Sequence, residues 1–295
     1  MEAFKRVEAA RAKGRPTGYD FISNILTGFL QLHGDRRFGD DQAVVAGIGW
    51  LNDLAVTAIA IDRGKDTKEK VARNFGSAHP EGYRKALRQM KLAEKFGRPI
   101  VCFVDTAGAY CGIGAEERGQ AQAIAENLME MMALKVPVIT ILTGEGGSGG
   151  ALGLAVADEV WMLENAVYSV ISPEGCASIL WKDASRTSQA AECLKLTAQE
   201  LLELGVVERV LKEPKDPQKG FDKVYQRIGR DLYSAFQQGL RLSGEEPPQI
   251  PALSQDGCLS GGRKRIILEK QKTISRSGFS AAADCFIMRW LCAED

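Results

Sequence analysis

VPVITILTGEGGSGGALGLAVAD, residues 136–158, decides the fold. Its first eight residues form an apolar, branched run of the kind found in a strand buried on both faces. TGEGGSGGA, residues 143–151, follows, and then a short segment of small residues suited to a helix. A strand that turns through glycines into a helix aims backbone N–H groups at a ligand. Upstream, IVCFVD (100–105) repeats the pattern and ends in the loop TAGAYCGIG (106–114). The stretch 115–134 is helical, with Glu116 and Glu117 in its first turn, where the helix dipole favours them. EVWMLE (159–164) supplies a third strand and VVERVL (206–211) a last one. Strand and helix alternating in this order imply right-handed crossovers and a parallel sheet, an α/β fold.

Further out, AVVAGIGWL (43–51) and LAVTAIAID (54–62) flank Asn52 and Asp53, which suit the tight turn of a β-hairpin. Phe21, Ile25, Phe29 and Leu32 predict one helix over residues 17–32. Pro80, Tyr83, Leu87, Met90, Ala93, Phe96 and the stop Gly97 predict another of about four turns. The segment around ISPEG reads as irregular, and helices follow at 188–204, the second with a Thr197/Glu200 capping box and Gly205 as its stop. A final amphipathic helix is expected over 221–242. These elements divide the chain into an N-terminal helical segment (1–40), a main domain (41–243) and a tail (244–295) with little sustained periodicity.

Composition bounds the function. The chain has 295 residues with Lys+Arg and Asp+Glu both at 38, no apolar run long enough to span a bilayer and no apolar signal-peptide core. A cytoplasmic protein is expected, without membrane or nucleic-acid partners. Seven cysteines at scattered spacings, with no C-x-x-C pair, read as free thiols, and no metal site is expected. Only His33 and His79 are available for histidine chemistry, whereas the 31 glycines are about a tenth of the chain against a typical ~7%.

Several motifs fit the glycine loop. Gly144, Gly146 and Gly149 satisfy G-x-G-x-x-G, with Glu164 at the end of the next strand, as in a NAD-linked oxidoreductase. Gly146, Ser148 and Gly150 satisfy the G-x-S-x-G nucleophile elbow, but that fold places its histidine after the serine, and both histidines precede Ser148. A phosphate-binding P-loop is excluded because Ala151 stands where Lys is required. The remaining chemical option is an oxyanion hole of main-chain amides, drawn from Ala107 and Gly108 at one strand end and Gly149, Gly150 and Ala151 at the other. Close helix–strand packing is the structural alternative for each glycine, and a non-catalytic scaffold is the alternative for the whole chain.

Five long segments, HGDRRFGDD (33–41), KDTKEKVARNFGSAHPEGYRKALR (65–88), DTAGAYCGIGAEERGQ (105–120), GEGGSGGALGLAVAD (144–158) and YSVISPEGCASILWKDA (168–184), carry a resemblance. Together they resemble the carboxyltransferase α subunit of the multi-subunit acetyl-coenzyme A carboxylase of bacteria and plastids, over about Tyr19 to Leu211. The resemblance implies a crotonase-like fold, a spiral of ββα units, and activity only with a β subunit, in an α2β2 assembly served by a biotin carboxyl carrier protein and biotin carboxylase. It implies that carboxybiotin on the carrier donates its carboxyl group to acetyl-coenzyme A, giving malonyl-coenzyme A for fatty acid synthesis. Stabilising charge on the ureido oxygen releases carbon dioxide, and the freed biotin nitrogen removes the methyl proton, so no side-chain base is required. The roles carried over are a biotin-side oxyanion hole at Gly149 and Gly150 with Ala151 adjacent, a facing wall at Ala107 and Gly108, and a carboxyl-holding Arg118. A surface ion pair with Glu116 or Glu117 is the alternative for Arg118. Lys65, Lys68, Lys70 and Arg73 are candidates for coenzyme A phosphates or the β subunit, with a solvated basic loop as the alternative. His79 reads as structural. The usual family form has proline where Ala107 and Cys111 stand, and the last fifty or so residues match no part of the family.

Overall fold

A computed structural model describes residues 2–216 and 220–244. The elements run α1 (Glu2–Ala10), α2 (Gly18–Ile25), β1 (Thr27–Gln31), β2 (Val44–Leu51), β3 (Leu54–Ile61), α3 (Thr67–Ala72), α4 (Pro80–Lys95) and β4 (Ile100–Thr106). After them come α5 (Ile113–Glu117), α6 (Gln120–Ala133), β5 (Val138–Gly147), α7 (Ser148–Ala155), β6 (Glu159–Leu163) and β7 (Val167–Ser169). The chain continues through α8 (Pro173–Trp181), α9 (Thr187–Cys193), α10 (Ala198–Glu203), β8 (Arg209–Leu211) and α11 (Phe221–Gly244). Of the expected tail, only Gly244 lies within the described residues.

One mixed sheet of order β1-β2-β3-β4-β5-β6-β8 forms the centre. The β2–β3 hairpin pairs Leu51 with Leu54 across Asn52, which takes φ +56°, and Asp53, which accepts a hydrogen bond from Tyr233 Oη of α11 at 2.7 Å. From β3 onward every pairing is parallel, as the two apolar runs required. β5 is long enough to serve two neighbours along one edge: residues 139–142 pair with β6 and residues 145–147 with β7. The core lies on both faces of β3, β4 and β5, under α2 and α11 on one side, where Phe21 stacks on Phe103 with ring centroids 5.4 Å apart and meets Tyr225 edge-on. On the other side α4, α6 and α7 pack together, burying Tyr83, Ala86, Met90 and Ala93.

Four local expectations change. The helix expected over 115–134 is broken at Gly119, whose φ of +81° starts α6 afresh at Gln120, so Glu116 and Glu117 belong to the short α5 and the first turn of α6 carries no acidic residue. The helix expected over 17–32 ends at Ile25, and Thr27–Gln31 becomes strand β1, pairing with β2. The spacing of Phe29 and Leu32 is that of a helix face, but pairing with the long partner β2 overrides it and makes the segment a strand. Phe96 lies one residue beyond α4 and is 61% exposed, with Arg98 over its ring, so it adds nothing to the buried face. The ISPEG segment is helix α8, started by Ser172, whose hydroxyl accepts from Gly175 N–H, and by Pro173 at the first helical position.

Candidate active site

The parallel pairing of β4 and β5 brings both glycine-rich strand ends to the same edge of the sheet. Val104 pairs with Leu142 but Thr106 with Gly146, so β5 carries two extra residues there and bulges. Past the bulge the two backbones touch. A Cβ on Gly147 would lie 2.1 Å from the Ala107 carbonyl oxygen, and one on Gly150 would lie 2.5 Å from Ala109 N and 2.7 Å from the Gly108 carbonyl carbon. Glycine at these two positions is therefore a requirement of close approach.

At Ser148 the chain turns sharply from strand to helix with φ +49°, and α7 begins without a side-chain cap. The first turn of a helix leaves its N–H groups without partners in the helix, here those of Ser148, Gly149 and Gly150, at the positive end of the dipole. Gly149 is half-buried and a Cβ there would find only Ile124, at 3.9 Å, so the mouth is open beside it. Ala151 is fully buried behind the turn. Across from it Ala107 is exposed. Gly108 differs from expectation: its N–H donates to Thr106 Oγ1 at 3.0 Å, and that hydroxyl donates back to the Gly108 carbonyl at 2.9 Å. Its amide is thus satisfied internally and forms wall rather than donor. The loop holds its shape without prolines at 107 and 111 because Tyr110 N–H donates to the Ala78 carbonyl at 3.0 Å and Gln120 Nε2 bridges the carbonyls of Ala78 and Tyr110.

Beneath the glycine turn lies an ionic cluster that sequence reasoning missed. Asp105 accepts a hydrogen bond from Glu145 N–H at 2.9 Å, which holds the β5 bulge, and its carboxylate sits 3.2 Å from Arg63 Nε. Arg63 also pairs with Glu145, which takes a second cation from Arg11 Nε at 2.8 Å, and Arg11 reaches on to Glu174 of α8 at 2.6 Å. Burial pushes the Asp105 carboxyl up, and the opposing pull of Arg63 and of the Glu145 N–H only partly offsets it. Gly144 makes the cluster possible, since a Cβ there would lie 2.3 Å from Asp105 Oδ1. The one signal in the sequence was Glu145 itself, a charge with no local reason to stand among glycines.

This geometry removes two readings of the glycine loop. Gly144 and Gly146 lie inside β5, facing Asp105 and Tyr168, rather than in a turn around a pyrophosphate, so the dinucleotide fingerprint fails. Ser148 has the backbone of an elbow but no base: His33 Nδ1 is 2.9 Å from Asp40, and the His79 ring lies against Tyr110.

Residues 1–248 match the acetyl co-enzyme A carboxylase carboxyltransferase-like family. The chain belongs to that family. Among curated relatives it is 65% identical over 246 residues to the acetyl-coenzyme A carboxylase carboxyl transferase subunit alpha of Ruminiclostridium cellulolyticum, covering 83% of this chain and 94% of the relative. It is 57% identical over 236 residues to the same subunit of Clostridium perfringens, covering 80% and 87%. Among solved structures, a transcarboxylase 12S with methylmalonyl-coenzyme A bound superposes with TM-score 0.63 at 18% identity, over 85% of this chain and 46% of that one. A Pseudomonas malonate decarboxylase hetero-tetramer in complex with coenzyme A gives 0.63 at 17% identity, over 93% and 97%. These likenesses place the fold, a mixed sheet flanked by helices, with carboxyltransferases and in accord with a crotonase-like arrangement.

In this carboxyltransferase chain the residues that the family resemblance singled out fall in different places. Arg118 pairs not with Glu116 or Glu117 but with Glu81 of α4, Nε to Oε1 at 2.8 Å, and stacks its guanidinium 4.6 Å over the Phe38 ring. Burial alone would raise the Glu81 carboxyl, yet the Arg118 hydrogen bond and the charges of Arg118 and Arg84 hold it below the usual range. The polar contacts of Arg118 run to Glu81 and His79, not to either glycine loop. Lys65 pairs with Asp20 at 2.6 Å, and Arg73 donates to the Gln42 carbonyl at 3.0 Å, so both brace their own loop. Lys68 is exposed and Lys70 half-buried. HGDRRFGDD is an anchor: Asp35 accepts from the N–H groups of Arg37, Phe38 and Gly39 and pairs with Arg84 at 2.8 Å, which outweighs burial and draws its carboxyl down to about 2. Among the described residues no group of His, Cys, Asp and Glu could hold a metal ion, and no helix is long and apolar enough to cross a membrane.

Proposed function

We propose that the paired glycine turns are the chain's contribution to the carboxyltransferase site, with Gly149 and Gly150 as the anion-stabilising donors and Ala107 and Gly108 as the facing wall. The family's activity, carboxyl transfer to acetyl-coenzyme A within a multi-subunit enzyme, is the activity of this chain. The observation that carries the site assignment is the contact between the two strand ends, where Gly147 and Gly150 admit the Ala107–Ala109 backbone. Carboxybiotin, when bound, supplies an activated carboxyl group and, once that group has left, a basic nitrogen. A donor set suited to it must offer N–H groups to a developing oxyanion, and the open first turn of α7 does so.

The chain's own residues then act without a side-chain base. The Gly149 and Gly150 amides bind negative charge on the ureido oxygen, and the α7 dipole adds to the attraction. Ala107, exposed at the rim, and Gly108, closed by Thr106, bound the cleft and keep it narrow. Arg118 is assigned to the acyl carboxylate, a role supported by the resemblance and reached only if its pairing with Glu81 is shared or released. Lys68 and Lys70 are assigned to the phosphates of coenzyme A or to the β subunit, with Lys65 and Arg73 supporting their loop. Ile113, 79% exposed, and Tyr110 follow the wall loop and suit contact with a partner subunit. The finer reading is a spiral of ββα units spanning residues 41–243, to which the N-terminal segment lends β1. That unit assembles as α2β2 with a β subunit in the cytoplasm and is served by a biotin carboxyl carrier protein and biotin carboxylase.

The test is reconstitution. The chain alone should form no malonyl-coenzyme A, and adding a β subunit and carboxylated carrier should restore transfer. Full turnover by the isolated chain would overturn the divided site.

A further inference from the structure

Helix α7 is held by three buried side chains that each donate to one of its carbonyls. Tyr83 Oη reaches the Gly150 carbonyl at 3.2 Å, Asn127 Nδ2 the Gly153 carbonyl at 3.0 Å, and Thr140 Oγ1 the Leu154 carbonyl at 2.7 Å. Two of these bonds grip the far end of the helix. Among the described residues only Tyr83 donates a side-chain hydrogen bond to the first turn, the part whose N–H groups have no partner within the helix.

That turn needs external restraint. Gly146, Gly147, Gly149 and Gly150 surround Ser148, and glycine backbones are free over a wide range of φ and ψ. A donor aimed at developing charge is effective only if it does not reorient during the reaction. Gly150 is restrained on one side by the Gly108–Ala109 backbone and on the other by the Tyr83 hydroxyl. The approach of Tyr83 depends on a second glycine, because a Cβ on Gly153 would lie 2.9 Å from both Cδ1 and Cε1 of its ring. Tyr83 is fully buried, and that burial pushes its phenol well above the ordinary range, so it remains a donor at every working pH.

We infer that Tyr83 is a positioning residue for the reaction: its hydroxyl, bound to the Gly150 carbonyl across the face of Gly153, locks the amides of the first turn of α7 toward the developing oxyanion. This rests on the oxyanion assignment of Gly149 and Gly150 and adds the part of the fold that keeps them aimed.

The experiment compares Tyr83→Phe with Thr140→Val in the complex reconstituted with the β subunit, assayed with malonyl-coenzyme A and free biotin. Both substitutions delete one buried hydroxyl bonded to an α7 carbonyl and nearly conserve shape. Tm should fall to a similar small extent in both. In Tyr83→Phe kcat should fall about tenfold, as expected for one lost hydrogen bond of about average strength, with KM for malonyl-coenzyme A changed less than twofold. Thr140→Val should keep kcat within twofold of the parent. Equal kcat losses in the two variants would reduce Tyr83 to a general packing role, and an unchanged kcat in Tyr83→Phe would overturn the inference outright. Gly150→Val separates the two levels. If it assembles without activity while Tyr83→Phe is fully active, only the positioning inference fails; if Gly150→Val turns over normally, the oxyanion assignment fails with it.

Discussion

Gly150→Ala is the sharpest perturbation of the proposed site, because a single methyl group tests whether the two strand ends must touch. The added Cβ would lie 2.5 Å from Ala109 N, 2.7 Å from the Gly108 carbonyl carbon and 3.0 Å from Gly108 Cα. All three are backbone atoms, so no rotamer can relieve the clash. Restoring an ordinary contact of about 3.5 Å requires the loops to part by about 1 Å. Overpacking of this kind costs about 1–3 kcal/mol of stability. A displacement of about 1 Å in a catalytic constellation lowers turnover about 100-fold. Gly149→Ala calibrates the stability side: its Cβ meets only Ile124, at 3.9 Å, and its φ is not positive, so Tm should stay within a degree or two of the parent or rise. The assay is malonyl-coenzyme A turnover with free biotin by the reconstituted complex, alongside thermal melts of each variant. Parental turnover in a folded, assembled Gly150→Ala protein would refute the reasoning, since it would mean that the cleft tolerates being opened.

Three further outcomes follow from other parts of the molecule. Glu145→Ala removes the carboxylate that bridges Arg63 and Arg11 and leaves Arg63 with Asp105 as its one remaining anion in the cluster, and denaturant unfolding should show a loss of about 3 kcal/mol; a change under 1 kcal/mol would mean that the cluster is not a structural floor. The Asp35 carboxyl is lowered to about 2 in the folded state, so its stabilisation is complete above its unfolded value near 4 and is lost as pH falls toward 2. Asp35→Asn should therefore be less stable than the parent at neutral pH, with the gap closing over that window; a gap constant from pH 5 to 2 would contradict it. Arg118→Lys loses the guanidinium geometry toward Glu81 and any paired contact with an acyl carboxylate, and kcat/KM for malonyl-coenzyme A should drop at least tenfold with Tm nearly unchanged. Unchanged kinetics would confine Arg118 to its ion pair.

Much of the molecule was legible locally. Continuous apolar runs at 100–105 and 138–142, each ending in glycines, identified buried parallel strands, and Thr197 with Glu200 announced α10 through a capping box that is formed on both sides. Such signals are legible because they depend on neighbours in sequence: a strand buried on both faces has no polar face to alternate with, and a cap satisfies amides three residues away. The Thr27–Gln31 strand is not legible locally because five residues carry too little periodicity to separate helix from strand, and the partner that settles it lies at 47–50.

The sequence by itself determined the α/β order, the two glycine turns and the family to which they belong. Only the tertiary structure decided what those turns can do. The parallel register sets Thr106 beside Gly146, and from that one offset come the bulge, the carboxylate of Asp105 under Glu145 N–H, and the contact of Gly150 with Gly108. It also closed the Gly108 amide onto Thr106 and set Tyr83, an ordinary core position by its spacing, on the carbonyl of Gly150. Each of these depends on atoms that are distant along the chain or on the rotation of a single peptide, and neither leaves a trace in residue type or spacing.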